Sequence, residues 1–205
     1  MALTVDYYFV PISPWTYLGH ARFAALASAA GATVRVLPVD IGGRVFPVSG
    51  GLPLAKRAPQ RQAYRLLELK RFSEQLGMPL HLHPKHFPVP SDDAARLIVA
   101  VVMNDGSDAA MRLTGAVLSA VWAEERNIAD AAVLSALLAE QGLNPRRLAD
   151  SRAEAVQQRF DADTQRAIDC GVFGAPSYVI DGEIFWGQDR LDFVQRRLAG
   201  TRAGG

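Results

Sequence analysis

Residues 171–191 read GVFGAPSYVIDGEIFWGQDRL. The runs SYVI and EIFW are short and rich in β-branched and aromatic residues, and Asp181-Gly182 between them is a dipeptide suited to a two-residue hairpin turn. Pro176 stands at the entrance to the first run, where a strand least misses an amide hydrogen; local sequence leaves its isomer open. QDRLDFVQRRLAG then closes as a helix, so the C-terminal part reads strand, strand, helix.

The other end of the chain supplies the complement. Residues 3–10 carry Val5, Tyr7, Phe9 and Val10 in a strand-like run, and residues 11–17, PISPWTY, follow at once. Proline is tolerated in the first turn of a helix, so Pro14 predicts a helix over residues 14–30 that stops at Gly31. ATVRVLPVD is a second strand, and a strand-helix-strand unit over residues 3–40 implies a parallel pair.

Between these halves, residues 41–59 are dense in Gly and Pro and form a loop that can cover a site. Residues 60–77 place Leu69, Phe72 and Leu76 on one helical face. Helical patterns follow over residues 91–104, 107–126, 130–142 and 151–169, after the interruption PLHLHPKHFPVP. The chain thus divides into an N-terminal βαβ part with its loop (1–58), a helical insertion (59–170) and a C-terminal ββα part (171–205).

Composition narrows the function. The 205 residues are 49% hydrophobic and 21% charged with a formal net charge of +1, which provides no field for nucleic acid. No run reaches the roughly 20 apolar residues of a membrane span, and the N-terminus lacks the charged start and apolar middle of a signal peptide, so a cytoplasmic protein is expected. The single cysteine, Cys170, permits no internal disulfide.

Ser13 is the strongest local candidate for chemistry. It can cap the helix, and the same helix start favours a bound anion through its free amides and dipole. It lies outside a Gly-x-Ser-x-Gly elbow, and His20, two turns along the same helix, is too distant axially to act as its base. His81, His83 and His86 have no carboxylate or thiol among them and read as a solvated loop, so no metal site is expected. The basic run Lys56, Arg57 and Arg61 reads as a solvated helix start.

Taken together, ISPWTYLGH after the first strand, the helical insertion and GVFGAPSYVIDGEIFWGQDRL before the last helix resemble the DsbA-like thioredoxin superfamily. They are most similar to its glutathione-dependent branch, which holds the kappa-class glutathione transferases and 2-hydroxychromene-2-carboxylate isomerase. The resemblance implies an α/β thioredoxin-like fold with a large all-helical insertion between βαβ and ββα halves. Ser13-Pro14-Trp15-Thr16 occupies the place of the Cys-x-x-Cys of the disulfide oxidoreductases, and without two thiols no dithiol couple can operate.

Glutathione is the cofactor the resemblance implies. Ser13 would stabilise its thiolate, Ala175 beside a cis Pro176 would pair with its cysteinyl segment, and Trp186, Gly187, Gln188 and Asp189 would receive its γ-glutamyl end. Trp15, Thr16 and Arg44 are the candidate substrate contacts. Thr16 replaces a second serine of the family pattern, Gln188 a frequent Asn, and SGGLPLAKRAP (49–59) lacks a recognisable family Asn. The implied activity is isomerisation of an aromatic unsaturated carboxylate; a kappa-like transferase or peroxidase acting on another electrophile, and a non-catalytic peptide-binding protein, are the alternatives. A homodimer is the implied assembly.

Overall fold

The computed structural model describes residues 3–200; the ends of the N- and C-terminal parts, residues 1–2 and 201–205, lie outside the described residues. Four strands, β1 (Thr4–Phe9), β2 (Thr33–Pro38), β3 (Ser177–Ile180) and β4 (Glu183–Trp186), form one sheet in the order β2-β1-β3-β4. β1 runs parallel to β2 and antiparallel to β3, which turns back through Asp181-Gly182 into antiparallel β4. Asp181 and Gly182 both have positive φ (50° and 82°), the conformation a type I′ turn requires.

The helices are α1 (Pro14–Ala30), α2 (Phe46–Ser49), α3 (Pro59–Leu76), α4 (Asp92–Asp105), α5 (Ser107–Trp122), α6 (Ala131–Glu140), α7 (Arg147–Asp150), α8 (Glu154–Asp169) and α9 (Leu191–Gly200). α1 ends as its sequence predicts, with Gly31 in the left-handed region at φ 64°. The predicted loop at 41–59 is more ordered than its composition suggests. Asp40 accepts a hydrogen bond from the Gly43 amide (2.7 Å) and nucleates a wide turn over Ile41–Val45 that runs into α2.

Alternation along β1 sorts the core into two layers. Val5, Tyr7 and Phe9 join Tyr178 and Ile180 of β3, α1, α9 and the insertion helices in one cluster. Tyr8, with Leu37, Val39, Ile41, Val45, Ala167, Val172 and Val179, forms the other, so α8 also covers the sheet. Asp6, on the Tyr8 side, is buried and pairs with Arg35 on the neighbouring strand.

A buried polar chain joins sheet to insertion. The Tyr7 hydroxyl lies 3.2 Å from His20 Nδ1, and His20 Nε2 lies 3.0 Å from the Met111 carbonyl on α5. A carbonyl can only accept, so Nε2 carries the proton and Nδ1 accepts from Tyr7. Gly115 lets α5 come this close: a Cβ there would sit 3.2 Å from the His20 ring.

Burial holds the His20 pKa down to about 4, against 6.5 when exposed. The unfolded chain therefore binds the extra proton between these values, and stability falls as pH drops from 6.5 towards 4, by at most about 3 kcal/mol from this residue. We expect urea midpoints measured across that range to decline more steeply for the native protein than for His20→Gln. Equal slopes would remove His20 from this role.

Candidate active site

The N-terminus of α1 opens on a cleft between the sheet edge and the insertion. Ser13 caps the helix: its Oγ accepts from the Thr16 amide (3.2 Å) while its carbonyl accepts from the Tyr17 amide (3.0 Å). The Ser13 hydroxyl hydrogen has no acceptor among the described residues, so a half-buried donor remains. Pro14 has no amide hydrogen, and the Trp15 amide of this first turn has no acceptor among the described residues.

The cleft has two joined lobes. One, of about 510 Å³, lies between α3 and the Trp186–Arg190 segment and includes Glu68, Phe72, Ala175, Gly187 and Asp189 in its wall. The other, of about 730 Å³, contains Ser13, Pro14, the 41–58 segment and the rings of Phe46, Phe87 and Phe173. Trp15, Arg57, Arg61, Arg65, Ala175 and Trp186 face both.

The Ala175–Pro176 peptide bond is cis, and Ala175 stands ahead of the β3 ladder, which begins at Ser177. Trp186 tilts against Phe173 with centroids 5.0 Å apart, and Arg190 lies 5.5 Å above its ring. Gly174 permits that packing, since a Cβ there would lie 2.5 Å from Trp186 Nε1. Gly187, at φ 101°, keeps its amide turned to the Pro176 carbonyl (2.9 Å) and leaves Asp189 room: a Cβ would fall 2.5 Å from Asp189 Oδ1. Asp189 pairs with Arg190 at 3.2 Å.

Among the sequence candidates, Ser13, Trp15, Ala175, Trp186, Gly187, Gln188 and Asp189 all reach the cleft. Thr16 is fully buried, its hydroxyl without a partner among the described residues, and it forms no part of either lobe. The Gln188 side chain is 2% exposed and is held inward, its Oε1 accepting from Arg22, which also donates to the Gln188 carbonyl at 2.8 Å. Arg44 stands on the far side of the 41–45 turn, bound to Asp161 and Gln165 of α8, and forms no part of either lobe.

The basic run has a different place from the one its sequence suggests. Arg57 and Arg61 border the cleft together with Arg65, one further turn along α3. The i, i+4 spacing of Arg61 and Arg65 on α3 was the available signal for a shared face, while Arg57 precedes the helix in extended backbone. Phe87, which helps form the second lobe, had no periodic signal, being in an irregular segment.

The chain belongs to the family of DSBA-like thioredoxin domains, which it matches over residues 4–199. It is 28% identical to the 2-hydroxychromene-2-carboxylate isomerase of Sphingobium xenophagum, over 97% of this chain and 99% of that one. The Pseudomonas putida enzyme of the same name is 29% identical over 96% and 94% of the two chains. Glutathione S-transferase kappa 1 of Caenorhabditis elegans is 24% identical over 93% and 88%. A solved 2-hydroxychromene-2-carboxylate isomerase superposes with a TM-score of 0.80 at 27% identity, covering 98% of each chain.

α1 approaches the 188–190 turn closely at Gly19. A Cβ on Gly19 would lie 2.9 Å from Gln188 Cβ and 3.2 Å from the Tyr178 hydroxyl. Gly19→Ala should cost about 1–3 kcal/mol in urea unfolding, the usual penalty of overpacking a filled contact. A midpoint equal to the native one would show that the turn yields without strain.

Proposed function

We propose that the protein is a glutathione-dependent isomerase of an aromatic unsaturated carboxylate, similar in reaction to 2-hydroxychromene-2-carboxylate isomerase. The observation that carries the reading is Ser13: its acceptor function is used by the Thr16 amide and its hydrogen is left to donate beside the positive end of α1. That environment favours an anion over a neutral thiol.

The donor set fits glutathione. The first lobe offers a carboxylate in Asp189 for an ammonium group and arginines for carboxylates, as a zwitterionic ligand requires. Gly187 and Gln188 frame that end, and Ala175, ahead of Pro176 and beyond the paired part of β3, presents strand-edge backbone for the ligand's peptide. Trp15 and Trp186 wall the junction between lobes.

Bound glutathione would supply a thiolate that adds reversibly to the conjugated substrate, opening a double bond to rotation and then leaving unchanged. Ser13 holds the negative charge on sulfur at the start and end of that cycle. The aromatic wall of the second lobe, Phe46, Phe87 and Phe173, receives the ring and excludes water from the reacting carbons. Thr16 acts through Ser13, its amide fixing the rotamer of the hydroxyl.

Ultraviolet titration of glutathione on the protein should give a thiol pKa about one unit or more below the free value of roughly 8.5. Ser13→Ala should raise it by about 1–2 units, the worth of one hydrogen bond to a charged group. An unchanged titration in the variant would take Ser13 out of the mechanism. Consumption of one glutathione per turnover would instead assign a transferase.

A further inference from the structure

The two lobes differ in charge. Arg57, Arg61 and Arg65 face both; the first adds Arg190 and the carboxylates of Glu68 and Asp189, whereas the wall of the second has no acidic residue among the described residues. A site with unbalanced positive charge and aromatic walls suits an anion with a large apolar body.

The three arginines are not equivalent. Arg61 is exposed, and Arg57 is half-buried with its Nε donating to the Leu52 carbonyl at 2.8 Å. Arg65 is only 9% exposed, and among the described residues its guanidinium has neither a carboxylate partner nor a hydrogen-bond acceptor. It lies 5.5 Å from the centroid of Phe87 and 5.8 Å from that of Trp122. Burial, with Arg57 nearby, lowers its pKa to about 10, which still leaves it charged at neutral pH.

A largely enclosed guanidinium without an anion gives up hydration, and cation–π contact with two rings compensates only part of that loss. The same two rings place it relative to the start of α1. The Trp122 indole N–H donates to the Ile12 carbonyl at 3.3 Å, and Ile12 precedes Ser13 in the chain. A planar fork held in one orientation is suited to a carboxylate, which it can bind through two parallel hydrogen bonds.

We propose that Arg65 is the carboxylate receptor of the second lobe and sets its preference for aromatic carboxylates over neutral aromatics of the same shape. This assignment rests on reading the second lobe as the substrate side of a glutathione enzyme, but its binding chemistry can be measured without turnover. Pairing with Arg65 would anchor the carboxylate at α3 within the lobe whose wall also contains Ser13 and the aromatic rings.

The test uses 2-naphthoate and 2-naphthamide as probes, titrated into the full-length protein by calorimetry, with and without glutathione. The native protein should bind the carboxylate at least about tenfold more tightly than the amide, as expected for a charge-assisted pair. Arg65→Gln should bring the two affinities within about twofold, and Arg65→Lys, which keeps charge but not the fork, should retain an intermediate ratio. Arg61→Gln should leave most of the preference.

Equal affinities in the native protein overturn the proposal whatever the variants do. So does a native ratio persisting in folded Arg65→Gln, or in Arg65→Met should the Gln variant fail to fold. Loss of the preference in Arg61→Gln with Arg65→Lys unaffected would transfer the role to Arg61 and also overturn it. If glutathione fails to bind while the Arg65-dependent preference holds, the glutathione reading fails and the receptor stands.

Discussion

The Tyr7 hydroxyl is buried at the centre of the sheet, and leaving it unpaired would be costly; its acceptor is His20 on α1. His20 in turn must donate to the Met111 carbonyl on α5. One proton arrangement satisfies all three groups, and it fixes sheet, first helix and insertion in a single relation. The neutral imidazole belongs to this arrangement: protonation would turn Nδ1 from acceptor to donor and set it against the tyrosine proton. Since Ser13 caps the N-terminus of α1, the place of its hydroxyl is tied to a core contact two turns along the same helix.

The insertion contributes more than bulk. α5 receives the His20 bond and presents Trp122, α3 brings the arginines, and the irregular segment between them adds Phe87. The sheet half supplies Ser13, Ala175 and the Trp186–Asp189 turn. Neither half alone contains a complete cleft, which accounts for Trp15 on α1 meeting Phe72 of α3 edge-on at 6.1 Å across the join. The same side chains therefore pack the join and form the wall of the cleft.

Much of this was legible from local chemistry. Pro14 and Gly31 bracket α1 because one lacks an amide and the other tolerates positive φ; Asp181-Gly182 announces the β3–β4 hairpin for the same kind of reason. The turn over 41–45 escaped because a single side chain, Asp40, organises it against a composition that reads as loop. Residues 151–169, read as one helix, divide into the end of a short turn and α8, since Ser151 and Arg152 close on preceding carbonyls before α8 starts at Glu154. The arginines were visible as residues but not as a site. Whether Arg65 is solvated or enclosed depends on Phe87 and Trp122, which only tertiary structure brings over it.

Trp15, Arg57, Arg61, Arg65, Ala175 and Trp186 face both lobes, so two ligands in the cleft would touch a common partition. Filling one lobe changes the charge and the rotamer freedom of the surface that the other ligand meets. Whatever factor the first ligand applies to the affinity of the second, the second must apply to the first. Two occupants of this cleft would thus meet through a shared wall, and any linkage between them would run through its arginines and aromatic rings.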